Sequence, residues 1–145
     1  MSTHGDDLQA AEEIRNLVGR YCDAIARLDL DAVGACWAED GVWTVFDEDV
    51  EGRAAIVERF GDLVSRVAWV VQHASSPLLE IHGDRATGVW QVVEFGRHHP
   101  RPETDGPGGL IQVGRYVDAY VRAADGWAFA RRRFETLHAS GLAFA

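Results

Sequence analysis

Apolar residues recur at helical spacing in the first half of the chain. The clearest stripe consists of Ile14, Leu17, Val18, Tyr21, Ile25 and Leu28. A helix buries one face by repeating apolar residues three and four positions apart, so this stripe predicts a helix over residues 7–27. A shorter helix capped by Asp29 or Asp31 follows and ends at Gly41. The apolar spacing predicts a third helix over residues 53–64.

The second half of the chain changes to runs of β-branched and aromatic residues. These runs predict strands over residues 67–81, 86–95, 110–121 and 127–137, with turns at 82–85 and 124–126 and a short β-rich run at 42–46. The acidic stretch 47–52 is expected to be a solvated turn or loop. Residues 98–109 contain three of the four prolines, which predicts a long loop.

Helices that come first and meandering strands that follow predict an α+β fold with an antiparallel sheet. The 145 residues, of which 47% are hydrophobic, fit a single domain over 1–145 with a core at about 9–138. The net charge of −9 argues against nucleic acid or an anionic membrane as a partner. All 14 basic residues are arginine, which excludes Schiff-base chemistry on a lysine.

Cys22 and Cys36 are expected to be reduced, buried thiols, because a disulfide framework requires more cysteines. Residues 1–7 are polar and acidic, unlike a secretory signal, so we expect a cytoplasmic protein. No cluster with metal-ligand spacing accompanies the pair His98 and His99, so neither a metal nor a cofactor is expected.

Strand alternation predicts three faces of mixed polarity. They comprise Val67, Trp69, Val71 and His73; Trp90, Val92 and Glu94; and Gln112, Gly114, Tyr116, Asp118 and Tyr120. A ligand pocket is mostly apolar with a few converging polar groups, and these faces have that character. We therefore predict that His73, Trp90 and Asp118 line one cavity.

Several short motifs, in this order and spacing, resemble the SnoaL-like branch of the nuclear-transport-factor-2-like superfamily. They are YCDAIARLDLD at 21–31, AEDGVW at 38–43, GRAAI at 52–56, QHAS at 72–75, IHGDRA at 81–86, GRYVD at 114–118 and DGW at 125–127. The resemblance covers about residues 9 to 138. It implies a cone-shaped α+β barrel with three N-terminal helices packed on a strongly curved antiparallel sheet. It also implies a homodimer through the convex face of the sheet.

The resemblance also suggests site residues. Dehydratase-like and dehydrochlorinase members use a His–Asp pair to abstract a proton; His73 matches the histidine, but Ala26 stands where the aspartate is expected. A second histidine of scytalone dehydratase falls at Gly96, with His98 two residues on. The family also includes polyketide cyclases and ketosteroid isomerase, and the small subunits of ring-hydroxylating dioxygenases share its fold, so the fold alone does not fix the function.

Four residues are candidates for catalysis. His73 would transfer the proton, since its unperturbed pKa of ~6.5 suits neutral pH; its alternative is a structural histidine in the core. Asp118 or Asp23 would orient the imidazole, or else Asp118 pairs with an arginine or a backbone amide and Asp23 with Arg27. Tyr21 would donate a hydrogen bond to substrate, or else belongs to the core.

The predicted substrate-binding residues share aromatic or polar side chains on the elements expected to enclose the cavity. They are Trp43, Phe60, Trp69, Trp90, Glu94, Gln112 and Tyr116. Glu94 is either a pocket acid or a strand-edge charge paired with Arg115 or Arg132. The run 131–133, three consecutive arginines, is expected on a solvated or interface surface.

The leading hypothesis is a cofactor-independent enzyme that dehydrates, isomerises or cyclises a small hydrophobic polyketide-, terpenoid- or steroid-like substrate by proton transfer. The physical requirement is a base and a hydrogen-bond donor in a dry pocket. A non-catalytic small-molecule binder is the alternative, because Ala26 replaces the expected carboxylate. A structural subunit of a dioxygenase is the third hypothesis.

Overall fold

The part of the chain that the structure describes folds into three helices and six strands. The computed structural model describes residues 3–100 and 108–143. The elements are α1 (His4–Ala26), α2 (Leu30–Ala35), β1 (Trp37–Val45), β2 (Glu48–Glu51), α3 (Arg53–Val64), β3 (Val67–His82), β4 (Arg85–His98), β5 (Gly108–Ala123) and β6 (Gly126–Ala143). This order confirms the predicted α+β class.

The strands form one sheet in the order β2-β1-β6-β5-β4-β3. The long strands β3 to β6 pair antiparallel, with two-residue connections between β3 and β4 and between β5 and β6, whereas β1 pairs parallel with β6. The sheet is therefore mixed, and it has edges at β2 and β3, so it is not a closed barrel. The parallel pair arises because α3 and the whole β3–β6 meander intervene between β1 and its neighbour β6, so β6 returns to β1 in the same direction.

Local chemistry fixes the helix ends. Thr3 caps α1 in a reciprocal capping box with Asp6, and Asp29 caps α2 by accepting a hydrogen bond from the backbone amide of Ala32 at 2.9 Å. α3 begins after Gly52, whose φ of 89° is readily adopted by glycine. The predicted bounds of α3 and the Asp29 cap are confirmed.

The core lies between the helices and the inner face of the sheet. α1 packs mainly against β3, and α3 packs against α2 and β1. The largest fully buried side chains are Trp37, Arg132, Tyr21, Tyr120, Phe129 and Ile14. Within the described residues no helix is long and apolar enough to cross a membrane, and no three His, Cys, Asp or Glu side chains could hold a metal ion.

Three local expectations are wrong. Residues 48–51 of the acidic stretch do not form a loop but pair with β1 as the edge strand β2. Their charged side chains lie at the solvated edge of the sheet. Trp37 begins β1 and does not end a helix. Strand β4 extends to residue 98, and strand β5 begins at residue 108. Most of the predicted loop, residues 101–107, lies outside the described residues.

A close approach between strands at Gly114 fixes the register beside the inner face. The ladder between β5 and β6 shifts register at Val113 and Gly114. A Cβ built on Gly114 would collide with the backbone carbonyl oxygen of Glu135. Only glycine therefore allows the two strands to meet here.

We expect Gly114→Ala to lower the free energy of unfolding by about 1–3 kcal/mol, because the backbone must move to accept the methyl group. Urea unfolding followed by circular dichroism measures this. Gly19→Ala is the control: a Cβ at Gly19 meets no atom within 4 Å, so this helical substitution should stabilise by about 0.5–1 kcal/mol. Equal stabilities for wild type and Gly114→Ala would contradict the argument.

Candidate functional site

A half-open cavity of about 570 Å³ lies against the inner face of the sheet. Apolar side chains from three elements form its walls: Trp43 and Val45 from β1, Leu63 from α3 and Phe134 from β6. Its polar lining includes Gln72, Glu94, Gln112 and Tyr116. This combination of apolar walls and a few polar groups is typical of small-molecule sites.

Register places the polar residues in one row across three strands. Gln72 pairs with Glu94 in the β3–β4 ladder, and Glu94 pairs with Gln112 in the β4–β5 ladder. Residues opposite each other in antiparallel strands share a face of the sheet. The Gln72 amide donates a hydrogen bond to Glu94 Oε2, and the Gln112 amide donates one to Glu94 Oε1 at 3.0 Å. The carboxylate of Glu94 is thus held by two amides.

Tyr116, which lies on the same inward face of β5 as Gln112, completes this network. Its hydroxyl donates a hydrogen bond to Gln72 Oε1 at 2.8 Å. Burial raises the pKa of Tyr116 well above its usual value, so the phenol keeps its proton and remains a donor. Because the Gln72 oxygen accepts from Tyr116, its amide nitrogen is directed toward Glu94.

Glu94 has no cationic partner among the described residues, unlike Glu135 at the same cavity. Glu135 is bound by Arg115 at 2.8 Å and by Arg133 at 2.6 Å. The hydrogen bond from Arg115, with that from Arg133, lowers the pKa of Glu135. Asp47 lies on the exposed turn between β1 and β2. Neutral amides therefore hold Glu94, whereas guanidinium groups hold Glu135.

Asp118 lies deeper, in an ion pair with Arg132 that excludes solvent completely. Arg132 Nε donates to Asp118 Oδ1 at 2.9 Å and Nη2 donates to Oδ2 at 2.7 Å, and both side chains have zero exposure. This bidentate geometry is the strong form of the arginine–carboxylate pair. The expectation that the run 131–133 lies on a solvated surface is therefore wrong for Arg132.

Aromatic rings enclose the Arg132 guanidinium. Its Cζ atom lies 3.7 Å from the ring centroid of Tyr116, 4.0 Å from that of Phe129 and 4.6 Å from that of Tyr21. Burial acts to lower the pKa of Arg132, but attraction from Asp118 and its hydrogen bonds outweigh burial, and the net pKa is raised. The arginine is therefore permanently charged.

A hydrogen-bond chain links the ion pair to the neighbouring strand. Trp90 Nε1 donates to the Tyr120 hydroxyl at 2.8 Å, and that hydroxyl donates to Asp118 Oδ2 at 2.7 Å. Burial, followed by the charge of Asp118, raises the pKa of Tyr120. Asp118 is therefore paired inside the core. Pairing with an arginine was the predicted alternative to a catalytic role for this residue.

His73 does not share a face with Asp118. It follows Gln72 on β3 and pairs with Val93, so its side chain lies on the outer face of the sheet and is exposed. The prediction that His73, Trp90 and Asp118 line one cavity is wrong: His73 lies on the outer face, and Trp90 and Asp118 are buried in the core and do not line the cavity. Between the two irregularities of β3, over residues 69–75, the odd-numbered face is the outer one, because α1 packs against the inner face, where Ala74 contacts the core.

The helix candidates also lie away from the cavity. Asp23 is exposed and pairs with Arg27 at 2.9 Å, which is the alternative named for it. Ala26 is exposed at the end of α1, so a carboxylate at that position would not face the cavity. Tyr21 is buried against Trp37, Tyr116 and Phe129, and burial raises the pKa of its hydroxyl.

Of the residues predicted to bind substrate, Trp43, Glu94, Gln112 and Tyr116 line the cavity. Phe60 and Trp90 are buried in the core, and Trp69 lies on the outer face of β3 with 37% exposure. The sequence argument missed Gln72 and Phe134. The signal for Gln72 was its position between Val70 and Ala74 on the inner face, which alternation alone could not distinguish from the outer face.

Comparisons with known proteins agree with this architecture. The family model of the SnoaL-like domain matches residues 6–133. Among curated proteins, no sequence matches that of this chain.

Solved structures of similar fold include the hexachlorocyclohexane dehydrochlorinase LinA-type3 from Novosphingobium barchaimii LL02, with a TM-score of 0.85, 17% identity and coverage of 99% of each chain. A candidate scytalone dehydratase from Novosphingobium aromaticivorans DSM 12444 has a TM-score of 0.83 at 18% identity, covering 96% of this chain and 91% of that one. A candidate aromatic ring hydroxylase from Novosphingobium aromaticivorans DSM has a TM-score of 0.84 at 22% identity, covering 93% and 94%. These likenesses establish the fold.

Removing one member of the buried ion pair should be costly. We expect Asp118→Ala to lower the free energy of unfolding by about 3–5 kcal/mol, because it leaves the Arg132 charge buried without a partner. The double variant Asp118→Leu with Arg132→Met should lose less, since no isolated charge remains. Urea denaturation measures both.

The control is Asp23→Ala, which breaks the exposed pair with Arg27 and should change stability by less than about 1 kcal/mol. Equal losses from Asp118→Ala and Asp23→Ala would show that the buried pair has no special role.

Proposed function

Since the chain belongs to the SnoaL-like domain family, we propose that its cavity binds a small hydrophobic substrate and that Glu94 transfers a proton in a cofactor-independent dehydration, isomerisation or cyclisation. The observation that carries the proposal is the placement of Glu94: an inward-facing carboxylate at a partly apolar cavity, held by two amides and by no cation within the described residues. The dehydrochlorinase and the candidate dehydratase of similar fold support this class of chemistry by analogy.

Each group of the network has a part in the proposed reaction. Glu94 takes a proton from a carbon atom next to a substrate carbonyl, and the electron pair of the broken C–H bond moves onto the carbonyl as an enolate. The proton then returns from Glu94 to another carbon in an isomerisation, or passes to the departing hydroxyl group, which leaves as water in a dehydration. The amides of Gln72 and Gln112 hold the carboxylate in place. Asp118 takes no proton, because its oxygens accept hydrogen bonds from Arg132 and Tyr120.

Deuterium exchange tests the role of Glu94 before the natural substrate is identified. We expect the protein to accelerate exchange of the acidic C–H protons of 2-tetralone, a neutral two-ring ketone, in deuterated buffer followed by NMR. Glu94→Gln should lower the enzymatic rate by about 10²-fold or more, which is the usual contribution of a general base. The variant keeps the shape of the side chain, so binding of the ketone should persist.

Two control variants decide between residues. Glu80→Gln, at an exposed carboxylate on β3, should exchange at the wild-type rate. His73→Ala should also do so, because the imidazole lies on the outer face. Loss of exchange in His73→Ala with retention in Glu94→Gln would restore His73 as the base and refute the role of Glu94. Binding without any exchange would favour a non-catalytic binding protein.

The proposal includes a homodimer formed through the outer face of the sheet. Half-buried apolar side chains cluster there on β3, β4 and β5: Val71, Val93, Phe95, Ile111 and Val113. An apolar patch of this kind on a sheet face is typical of subunit interfaces. His73 lies within this patch, beside Val93.

Val93→Asp should therefore convert a dimer into a monomer, because it places a charge in the apolar patch. Size-exclusion chromatography with light scattering measures the mass of each variant. Thr87→Asp is the matched control, on the same strand and face but opposite the polar Glu80, and should remain dimeric. A monomeric wild type would refute this part of the proposal.

A further inference from the structure

The turn between β1 and β2 is built from residues that are poorly suited to it. Val45 pairs with Glu48, which leaves a two-residue hairpin loop of Phe46 and Asp47. Both have positive φ, 50° for Phe46 and 61° for Asp47. Two-residue hairpins of this kind favour Asn-Gly, and a bulky aromatic residue at positive φ is an outlier. The backbone at Phe46 is therefore strained.

Phe46 gains nothing from burial that would offset this strain. Its side chain is 70% exposed, yet an exposed phenylalanine forgoes most of the free energy that burial of its ring could provide. Asparagine at this position would adopt the same backbone more readily, because its short polar side chain tolerates the left-handed region. Packing and turn geometry both leave the choice of phenylalanine unexplained.

The position of Phe46 supplies an explanation. It lies at the mouth of the cavity, next to Val45 and on the same hairpin as Trp43 of the cavity wall. β2, the other arm of this hairpin, is a four-residue edge strand that pairs with β1 alone. The aromatic ring is thus held at the opening of the cavity by a short hairpin.

We propose that Phe46 is a binding residue that covers the ligand in the cavity. Its strained backbone is retained because the aromatic ring, which is exposed in the free protein, becomes buried against the apolar part of the bound ligand. Strain of this kind persists where the side chain has a function. The inference rests on the proposed function in one respect, that the cavity binds a small apolar molecule. It does not depend on the role of Glu94 in proton transfer.

Three variants test the proposal with 2-tetralone as the ligand. Phe46→Asn should raise the melting temperature of the free protein by about 3 °C, because it relieves the strain. The same variant should weaken binding roughly tenfold, because it removes an apolar surface from the complex. Phe46→Tyr should keep the wild-type affinity, since the ring is retained. Thermal unfolding and isothermal titration calorimetry give the two quantities.

Ser76→Asn is the matched control for relief of strain. Ser76 has a φ of 51° in the irregular part of β3 and is exposed, away from the cavity. Its substitution should raise the melting temperature similarly and leave the affinity unchanged.

Each outcome separates the two proposals. Wild-type affinity in Phe46→Asn would overturn the covering role, and an unchanged or lower melting temperature would overturn the strain on which it rests. Either result leaves the proposed function intact if exchange of 2-tetralone still depends on Glu94. Failure of the wild-type protein to bind the ketone would overturn both proposals.

Discussion

The ion pair of Asp118 and Arg132 is the interaction around which the inner face is organised. Pairing and hydrogen bonds offset the cost of burying two charges. Asp118 accepts hydrogen bonds from Arg132 and Tyr120, whereas Arg132 Nη1 has no hydrogen-bond partner among the described residues and the guanidinium lies against aromatic rings. Asp118 joins β5 to β6 through the arginine, and Arg132 lies opposite Trp43 of β1 in the parallel ladder. The pair therefore lies where the antiparallel meander meets the parallel strand. The guanidinium also supports the ring of Tyr116, whose hydroxyl reaches into the polar network of the cavity.

Two inward-facing carboxylates on neighbouring strands thus have different hydrogen-bond partners. Asp118 has a guanidinium and a phenol as partners and belongs to the scaffold, whereas Glu94 has two amides and faces the cavity. Environments that treat two carboxylates differently are a common basis for dividing structural and catalytic roles. Tyr116 contacts both the Arg132 guanidinium and Gln72. The buried ion pair therefore also helps to orient the Gln72 amide, which donates a hydrogen bond to Glu94.

The family fold supports many activities, so the function lies in the residues placed on the inner face. In this chain the row is Gln72, Glu94 and Gln112, three side chains that register pairing places side by side. The histidine suggested by the sequence resemblance is the next residue after Gln72. A shift of one position along a strand changes the face, so a correct alignment of the strand can still assign the wrong side chain to the cavity.

The sequence by itself determined the α+β class, the three helices, the four long strands and their turns, because apolar periodicity and turn residues are local signals. It also identified Trp43, Glu94, Gln112 and Tyr116, whose strands have one clearly aromatic or mixed face. Only the tertiary structure decided which face of β3 is inward, because both faces are partly apolar and the choice depends on the packing of α1. The burial of Arg132 likewise depends on Asp118, which lies on the adjacent strand and is 14 residues away in sequence. A local sequence pattern does not show that these two residues pair.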